Sequence, residues 1–256
     1  MELWQAIVLG VIEGITEFLP ISSTGHLILA AHVMNIQHTP FVKTFQIVIQ
    51  LGAIFAILSI YWKKLIGDME IWKRILIAFI PTGILGFTFY KLIKGYLIGN
   101  DLVVVISLII GGIVLIWADR YSGKFSKIEN PSVLGYGNSF VIGLFQSMAM
   151  IPGVSRSGAT IIGGMFMGLT RKAAAEFSFL LAIPTMLLAT SFDLYKSFAN
   201  IHANEWTILI VGFITSFVSA LFAVKTLLNF LSKNSFFVFG IYRIIIGLVY
   251  ANFFLI

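Results

Sequence analysis

The amino-acid sequence predicts an all-α polytopic membrane protein. Hydrophobic residues make up 59% of the 256 residues and charged residues only 11%, a balance far from that of an ordinary soluble domain. Six apolar stretches are each about long enough to cross a bilayer core as a helix: residues 41–62, 71–90, 101–118, 174–194, 206–229 and 236–256. We therefore expect a single membrane domain over residues 1–256.

Composition also narrows the kinds of site that the chain can hold. The sequence contains no cysteine, which excludes disulfides and thiolate metal sites. Its formal net charge is +6, and the positions of the basic residues explain this charge better as membrane topology than as nucleic-acid binding. We therefore expect no nucleic-acid partner.

Two further apolar stretches, residues 1–36 and 134–168, are each interrupted near the middle by Pro, Gly and Ser. We interpret each as a re-entrant pair of broken helices that enters the membrane and leaves on the same side. One such hairpin followed by three spans returns the chain with the opposite orientation. The two halves, about 1–119 and about 134–256, should then be inverted repeats.

An ungapped alignment of the two interrupted stretches supports this repeat. The segment GVIEGITEFLPISSTGHLIL, which begins at Gly10, aligns with GLFQSMAMIPGVSRSGATII, which begins at Gly143. The alignment pairs Glu13 with Gln146 and Ser22 with Ser155, at an offset of 133 residues. This offset is about half the length of the chain, as two repeats require.

The basic residues predict the orientation of the chain. With two hairpins and six spans, eleven Lys and Arg residues fall on one side of the membrane and four on the other. The side with more Lys and Arg residues should be cytoplasmic, which places both termini outside the cytoplasm. We expect Arg243 to extend towards the cytoplasmic surface. The richer group is Lys63, Lys64, Lys73, Arg74, Arg120, Lys124, Lys127, Arg171, Lys172, Lys225 and Lys233, and the other is Lys43, Lys91, Lys94 and Lys196.

The tips of the two hairpins predict an anion site. Inverted repeats with broken helices bring two such tips together near the bilayer midplane. In both tips a Ser-x-Ser/Thr-Gly stretch lies where a second half-helix starts, so hydroxyls and free backbone N–H groups share one space. Arg156, in the second tip, adds a guanidinium whose planar fork suits phosphate oxygens. The site should therefore accept a phosphate-sized anion.

Acidic residues in the first tip predict a divalent cation. Glu13 and Glu17 lie four residues apart on one helix face, and each would cost about 2.5–3.5 kcal/mol in mid-membrane if uncompensated. Two carboxylates would repel a phosphate unless Mg²⁺ or Ca²⁺ bridges them or one carries a proton. His26 could act as a general acid, base or nucleophile. Gln46 and Gln50 could line the same site, although structural hydrogen bonding would explain them equally well.

Two simpler interpretations stay open at this point. The first helix could lie on the membrane surface with Glu13 and Glu17 solvated. Arg156 could serve only as a structural ion-pair partner for one of these glutamates.

The stretches EGITEFLPISSTGH (13–26) and PGVSRSGAT (152–160) resemble the two signature regions of the undecaprenyl-diphosphate phosphatases, the bacitracin-resistance family. The similarity runs from end to end. It implies an enzyme of the bacterial cell (inner) membrane that converts a polyprenyl pyrophosphate lipid to its monophosphate and so recycles the carrier for cell-wall synthesis. It also implies bacitracin resistance, because bacitracin sequesters that pyrophosphate.

The resemblance also implies roles for individual residues. The acidic pair of the family falls on Glu13 and Glu17, which would hold the metal or activate water. The remaining motif positions fall on Pro20, Ser22, Ser23 and His26 in the first tip and on Ser155, Arg156, Ser157 and Thr160 in the second.

The attacking group and the transport alternative both stay open. We expect Arg156 and the serine hydroxyls to hold the pyrophosphate, while water, Ser23 or His26 attacks it. A flippase or transporter of a lipid-linked phosphate would need the same midplane anion site. Surrounding membrane lipids and a second copy in a homodimer are further expected partners.

Overall fold

The computed structural model describes residues 1–37, 39–92, 100–122, 127–197, 202 and 205–254. Within these ranges the chain is helical, apart from loops and one isolated β-bridge between Ile128 and Leu169, so the predicted all-α class is confirmed. The α-helices are α1 (Leu3–Thr16), α2 (Ser23–Val33), α3 (Pro40–Gly67), α4 (Met69–Leu92), α5 (Asp101–Ser122), α6 (Tyr136–Ser147), α7 (Arg156–Phe166), α8 (Arg171–Ser197), α9 (Trp206–Leu231) and α10 (Phe237–Phe254).

Six of these helices are long and apolar enough to cross a membrane, counted over the described ranges: α3, α4, α5, α8, α9 and α10. They correspond to the six predicted stretches. Local sequence accounts for the observed start of α3, because Pro40 occupies its first turn and the Thr39 hydroxyl accepts a hydrogen bond from the Val42 N–H at 3.3 Å. The multi-pass architecture is therefore confirmed.

Both interrupted stretches form two short helices joined by an irregular tip, as predicted. In the first, α1 and α2 are joined by residues 17–22, which we call the first tip. In the second, α6 and α7 are joined by residues 148–155, the second tip, which includes a 3-10 turn at Met148–Met150. Pro20 and Pro152 lie inside these tips, where neither can continue a regular helix.

Small residues let the short helices approach the long ones closely. Helix α1 packs along α9, and a Cβ added at Gly10 would lie only 2.8 Å from the Gly212 carbonyl oxygen. Helix α6 packs along α4, where a Cβ at Gly143 would overlap the Ala78 carbonyl and lie 3.0 Å from Pro81 Cδ. Backbone therefore lies against backbone at both crossings, as is common between membrane helices.

Ion pairs link α3, α5 and α8 at one end of the helix bundle. Lys64 near the end of α3 pairs with Glu176 of α8 at 2.7 Å, and Arg171 of α8 pairs with Asp119 of α5 at 2.6 Å. The last turns of α3 and α5 and the first turn of α8 therefore lie at the same end. Lys94 and Lys124, which entered the predicted charge count, lie outside the described residues.

We predict that Gly143→Ala lowers the free energy of unfolding by about 1–3 kcal/mol, because the added methyl group meets backbone that cannot easily move. Thermal unfolding in detergent measures the change. Gly137→Ala is the matched control in the same helix, since nothing lies within 4 Å of a Cβ added there. Equal melting temperatures for the two variants would contradict the close packing of α6 on α4.

Candidate active site

The two tips meet around a polar cavity of about 210 Å³. Gln50 of α3 and Met186 of α8 line the wall between them, so the expectation for Gln50 is confirmed, whereas Gln46 is not among the lining residues. The other lining residues are Glu17, Ser22, Ser23 and Thr24 from the first hairpin, and Ala149, Ile151, Pro152, Gly153, Ser155 and Arg156 from the second. Residues more than 120 positions apart in the sequence thus share one cavity.

Both half-helices that begin at the cavity follow a serine in an unusual backbone conformation. Ser22 has φ +71° and Ser155 has φ +74°, a region that residues with a side chain seldom adopt. The Ser155 hydroxyl accepts a hydrogen bond from the Gly158 N–H at 3.1 Å and so caps α7. The first N–H groups of a helix have no acceptor within it, so the starts of α2 and α7 offer donors to an anion.

An ion pair connects the two hairpins beside the cavity. Arg156 Nη2 donates to Glu17 Oε1 at 2.6 Å, and Ser23 Oγ donates to Glu17 Oε2 at 2.6 Å. The Arg156 guanidinium also donates to the Ser178 carbonyl at 3.1 Å and lies over the Phe18 ring at 5.5 Å. The ion pair considered at the sequence level is thus present, and it lies in the wall of the cavity.

Glu13 is fully buried one turn before Glu17, and neither of its carboxylate oxygens has a hydrogen-bond partner among the described residues. It lies within electrostatic range of Glu17 and Arg156. Glu17 is 8% exposed. The alternative of a surface helix with solvated glutamates is therefore wrong, because both side chains face the interior.

The two carboxylates fit a divalent cation that shares its ligands with a substrate. Within the described ranges no cluster of three or more His, Cys, Asp or Glu residues could hold a metal by itself. Mg²⁺ is commonly bound through one or two carboxylates together with water and substrate phosphates. Glu17 lines the cavity, and the buried carboxylate of Glu13 beside it needs compensation, which a cation shared by the two residues would provide.

Four predicted site residues do not line the cavity. One is Glu13, which is fully buried one turn before Glu17, and the other three form hydrogen bonds within the protein. His26 donates from Nδ1 to the Ser22 carbonyl at 2.8 Å, and its Nε2 lies 2.8 Å from the Tyr242 hydroxyl. Ser157 donates to the Leu19 carbonyl at 2.7 Å, and Thr160 donates to the Ser178 hydroxyl at 2.6 Å. In this arrangement His26 and Ser157 hold the first tip, and Thr160 links α7 to α8. Contact of these three side chains with a substrate stays a prediction.

One expectation about the second half is wrong. Arg243 does not extend to the cytoplasmic surface, because it is 1% exposed and all three guanidinium nitrogens donate to backbone carbonyls of α5 and the two tips. Sequence reasoning also missed Tyr242 and Met186. Their partners His26 and Arg156 are distant in the sequence, so no local signal identifies them.

Comparison with known proteins identifies the family of the chain. Residues 6–249 match the family described as Bacitracin resistance protein BacA. The chain is 66% identical over 252 residues to an undecaprenyl-diphosphatase of Aquifex aeolicus, with 98% of each chain covered. It is 54% identical to an undecaprenyl-diphosphatase of Sulfurihydrogenibium sp., covering 96% of this chain and 97% of the relative, and 48% identical to one of Thermus thermophilus, covering 98% and 97%. The chain therefore belongs to the bacitracin resistance protein BacA family, as its two signature stretches predict.

Proposed function

We propose that the protein is an integral membrane phosphatase that hydrolyses undecaprenyl diphosphate to undecaprenyl phosphate and inorganic phosphate. Its relatives carry the name undecaprenyl-diphosphatase and match this chain over nearly its whole length. The reaction recycles the lipid carrier for cell-wall synthesis and confers bacitracin resistance. The observation that carries the proposal is the convergence of Arg156 from one hairpin with Glu17 and Ser23 from the other.

The cavity supplies the positive groups that a pyrophosphate needs. Arg156 lines the cavity, and a guanidinium binds phosphate oxygens through its N–H donors. The starts of α2 and α7 add backbone donors, and Ser22 and Ser155 add hydroxyls. Such fixed donors stabilise the charge that develops on the oxygens during phosphoryl transfer.

The hydrogen bond between Ser23 and Glu17 supports attack by Ser23 or by a water molecule beside it. Glu17 would accept the proton of the attacking hydroxyl as the new P–O bond forms and the bridging P–O bond breaks. The leaving group is undecaprenyl phosphate. Attack by water gives inorganic phosphate directly, whereas attack by Ser23 gives a phosphoserine that a water molecule must then hydrolyse, which releases inorganic phosphate and restores the hydroxyl. His26 is a weaker candidate for the nucleophile, because it does not line the cavity and both its ring nitrogens are engaged.

Glu13 and Glu17 are the residues that would hold Mg²⁺ or Ca²⁺. When bound, the cation would neutralise negative charge on the pyrophosphate oxygens. Without it, a pyrophosphate in the cavity would meet the Glu17 carboxylate, which has the same charge, and the nearby Glu13 carboxylate would add to the repulsion although it does not line the cavity. Support comes from the unpartnered oxygens of Glu13 and its position one turn from Glu17.

We also infer that the two halves are inverted repeats. Helices α1 and α6 begin at Leu3 and Tyr136, and α2 and α7 begin at Ser23 and Arg156, so both pairs are offset by 133 residues. The serines with positive φ, Ser22 and Ser155, have that same offset.

Contacts with the two ends of α5 support opposite orientations for the hairpins. The end of α2 lies beside the end of α10, where the His32 and Phe254 rings are 4.5 Å apart, and α10 reaches the start of α5 through a 2.8 Å hydrogen bond from Tyr250 to Asp101. The end of α7 lies at the other end of α5, where the Phe166 and Trp117 rings are 5.6 Å apart.

The orientation in the membrane follows from the charges. The end of the bundle joined by Lys64 and Arg171 is the basic one, so we propose that it faces the cytoplasm and that both termini lie outside it. A homodimer stays a prediction.

We predict that purified protein in detergent releases phosphate from undecaprenyl diphosphate, and that Glu17→Gln and Arg156→Ala each reduce kcat by about 100-fold or more, as loss of one charge-stabilising group typically does. A phosphate-release assay measures the rates. Glu129→Gln and Arg120→Ala are controls at exposed positions. Detergent removes the two compartments, so a folded, monodisperse sample without phosphate release would contradict the enzyme and favour a transporter.

We predict that EDTA abolishes phosphate release and that Mg²⁺ or Ca²⁺ restores it. Glu13→Gln should raise the metal concentration for half-maximal activity by at least about tenfold, because outer-shell changes alone already cost 10–100-fold in affinity. Titration of each metal into EDTA-treated, dialysed enzyme gives this concentration, with Glu129→Gln as the control. A metal dependence unchanged by Glu13→Gln would remove Glu13 from the metal site.

A further inference from the structure

Arg243 lies at the point where both tips meet α5. Its Nη1 donates to the Pro20 carbonyl of the first tip at 3.2 Å and to the Val154 carbonyl of the second at 2.9 Å. Its Nη2 donates to the Gly153 carbonyl at 3.0 Å. A single guanidinium thus contacts the irregular backbone of both hairpins.

The same guanidinium is fixed to a spanning helix. Nη2 donates to the Ser107 carbonyl at 3.0 Å, and Nε donates to the Leu108 carbonyl at 3.4 Å. Arg243 is 1% exposed, and it forms no ion pair among the described residues. A charge so deeply buried needs several partners, and here backbone dipoles supply them.

The carbonyls that Arg243 binds lie next to the two serines with positive φ. Val154 directly precedes Ser155, and Pro20 lies two residues before Ser22. Such backbone costs of the order of 1–3 kcal/mol and persists only when its surroundings hold it in place. Both half-helix starts that face the cavity therefore depend on the same side chain.

We infer that Arg243 is a positioning residue that sets the spacing between the starts of α2 and α7, and thereby the spacing of Ser22, Ser23, Ser155 and Arg156 around the substrate. Arg243 does not line the cavity, so it acts through the tips and not on the phosphate itself. This inference rests on the proposed function for its kinetic consequences. Lysine cannot replace it, because an ammonium offers three donors from one point, whereas the five carbonyls surround a planar fork.

The first test is Arg243→Lys, with Arg120→Lys as a control on an exposed arginine. We expect kcat for phosphate release to fall at least tenfold while KM changes less than threefold. The rate should fall because a misplacement of about 1 Å can cost 100-fold. KM should change little because every group that lines the cavity is still present. Unchanged kcat in a folded Arg243→Lys protein would overturn the inference.

A second variant displaces the guanidinium without removing it. A Cβ added at Gly111 of α5 would overlap Arg243 Nη2 and lie 2.7 Å from its Cζ. We expect Gly111→Ala to reproduce the fall in kcat. Gly83→Ala is the matched control within a spanning helix, because its Cβ would meet only the Phe79 ring at 3.9 Å.

Hydrogen exchange followed by mass spectrometry tests the inference independently of activity. Exchange in Arg243→Lys should rise in residues 18–26 and 151–158, with the spanning helices unchanged. Exchange equal to that of the parent protein, or raised uniformly along the chain with a matching fall in melting temperature, would overturn the positioning role. Absence of phosphate release by the parent protein would instead contradict the proposed function, while the exchange pattern would still decide the role of Arg243.

Discussion

Irregular backbone inside an apolar bundle must find hydrogen-bond partners within the protein, because lipid offers none. The backbone of both tips is not helical although it lies in the interior, and polar side chains supply the hydrogen-bond partners that its carbonyls lack. Arg243 binds carbonyls of both tips, while the Ser157 hydroxyl binds the Leu19 carbonyl and so joins the second hairpin to the first. The close approach of the tips is thus a consequence of satisfying their own backbone, and the cavity lies where they meet.

The groups that hold the two hairpins together also supply the charges and oriented hydrogen-bond donors of the cavity. Arg156 reaches Glu17 beside it and is itself held by the Ser178 carbonyl. Ser178 also accepts a hydrogen bond from Thr160, so α8 fixes the first turn of α7 from two sides. A pyrophosphate would enter a site in which donors are already oriented, which lowers the reorganisation that phosphoryl transfer requires.

Much of this architecture could be predicted from the sequence, because hydropathy marks the spans and Pro, Gly and Ser mark the breaks. The acidic pair and Arg156 were also identifiable, since charges within apolar stretches are rare. The role of Arg243 was not, because its partners are carbonyls, which leave no signature in the sequence. Thr160 belongs to the same motif as Ser155 yet packs against α8, so motif membership alone does not separate residues that line the cavity from residues that support it.

The most direct measurement is an experimental structure of the protein with a non-hydrolysable undecaprenyl methylenediphosphonate and a divalent cation. We expect both phosphorus atoms inside the cavity, with oxygens bound by Arg156 and by groups of both half-helix starts, and the cation beside Glu13 and Glu17. A diphosphonate that binds outside the cavity, or that contacts one tip alone, would contradict a site built jointly by the two hairpins.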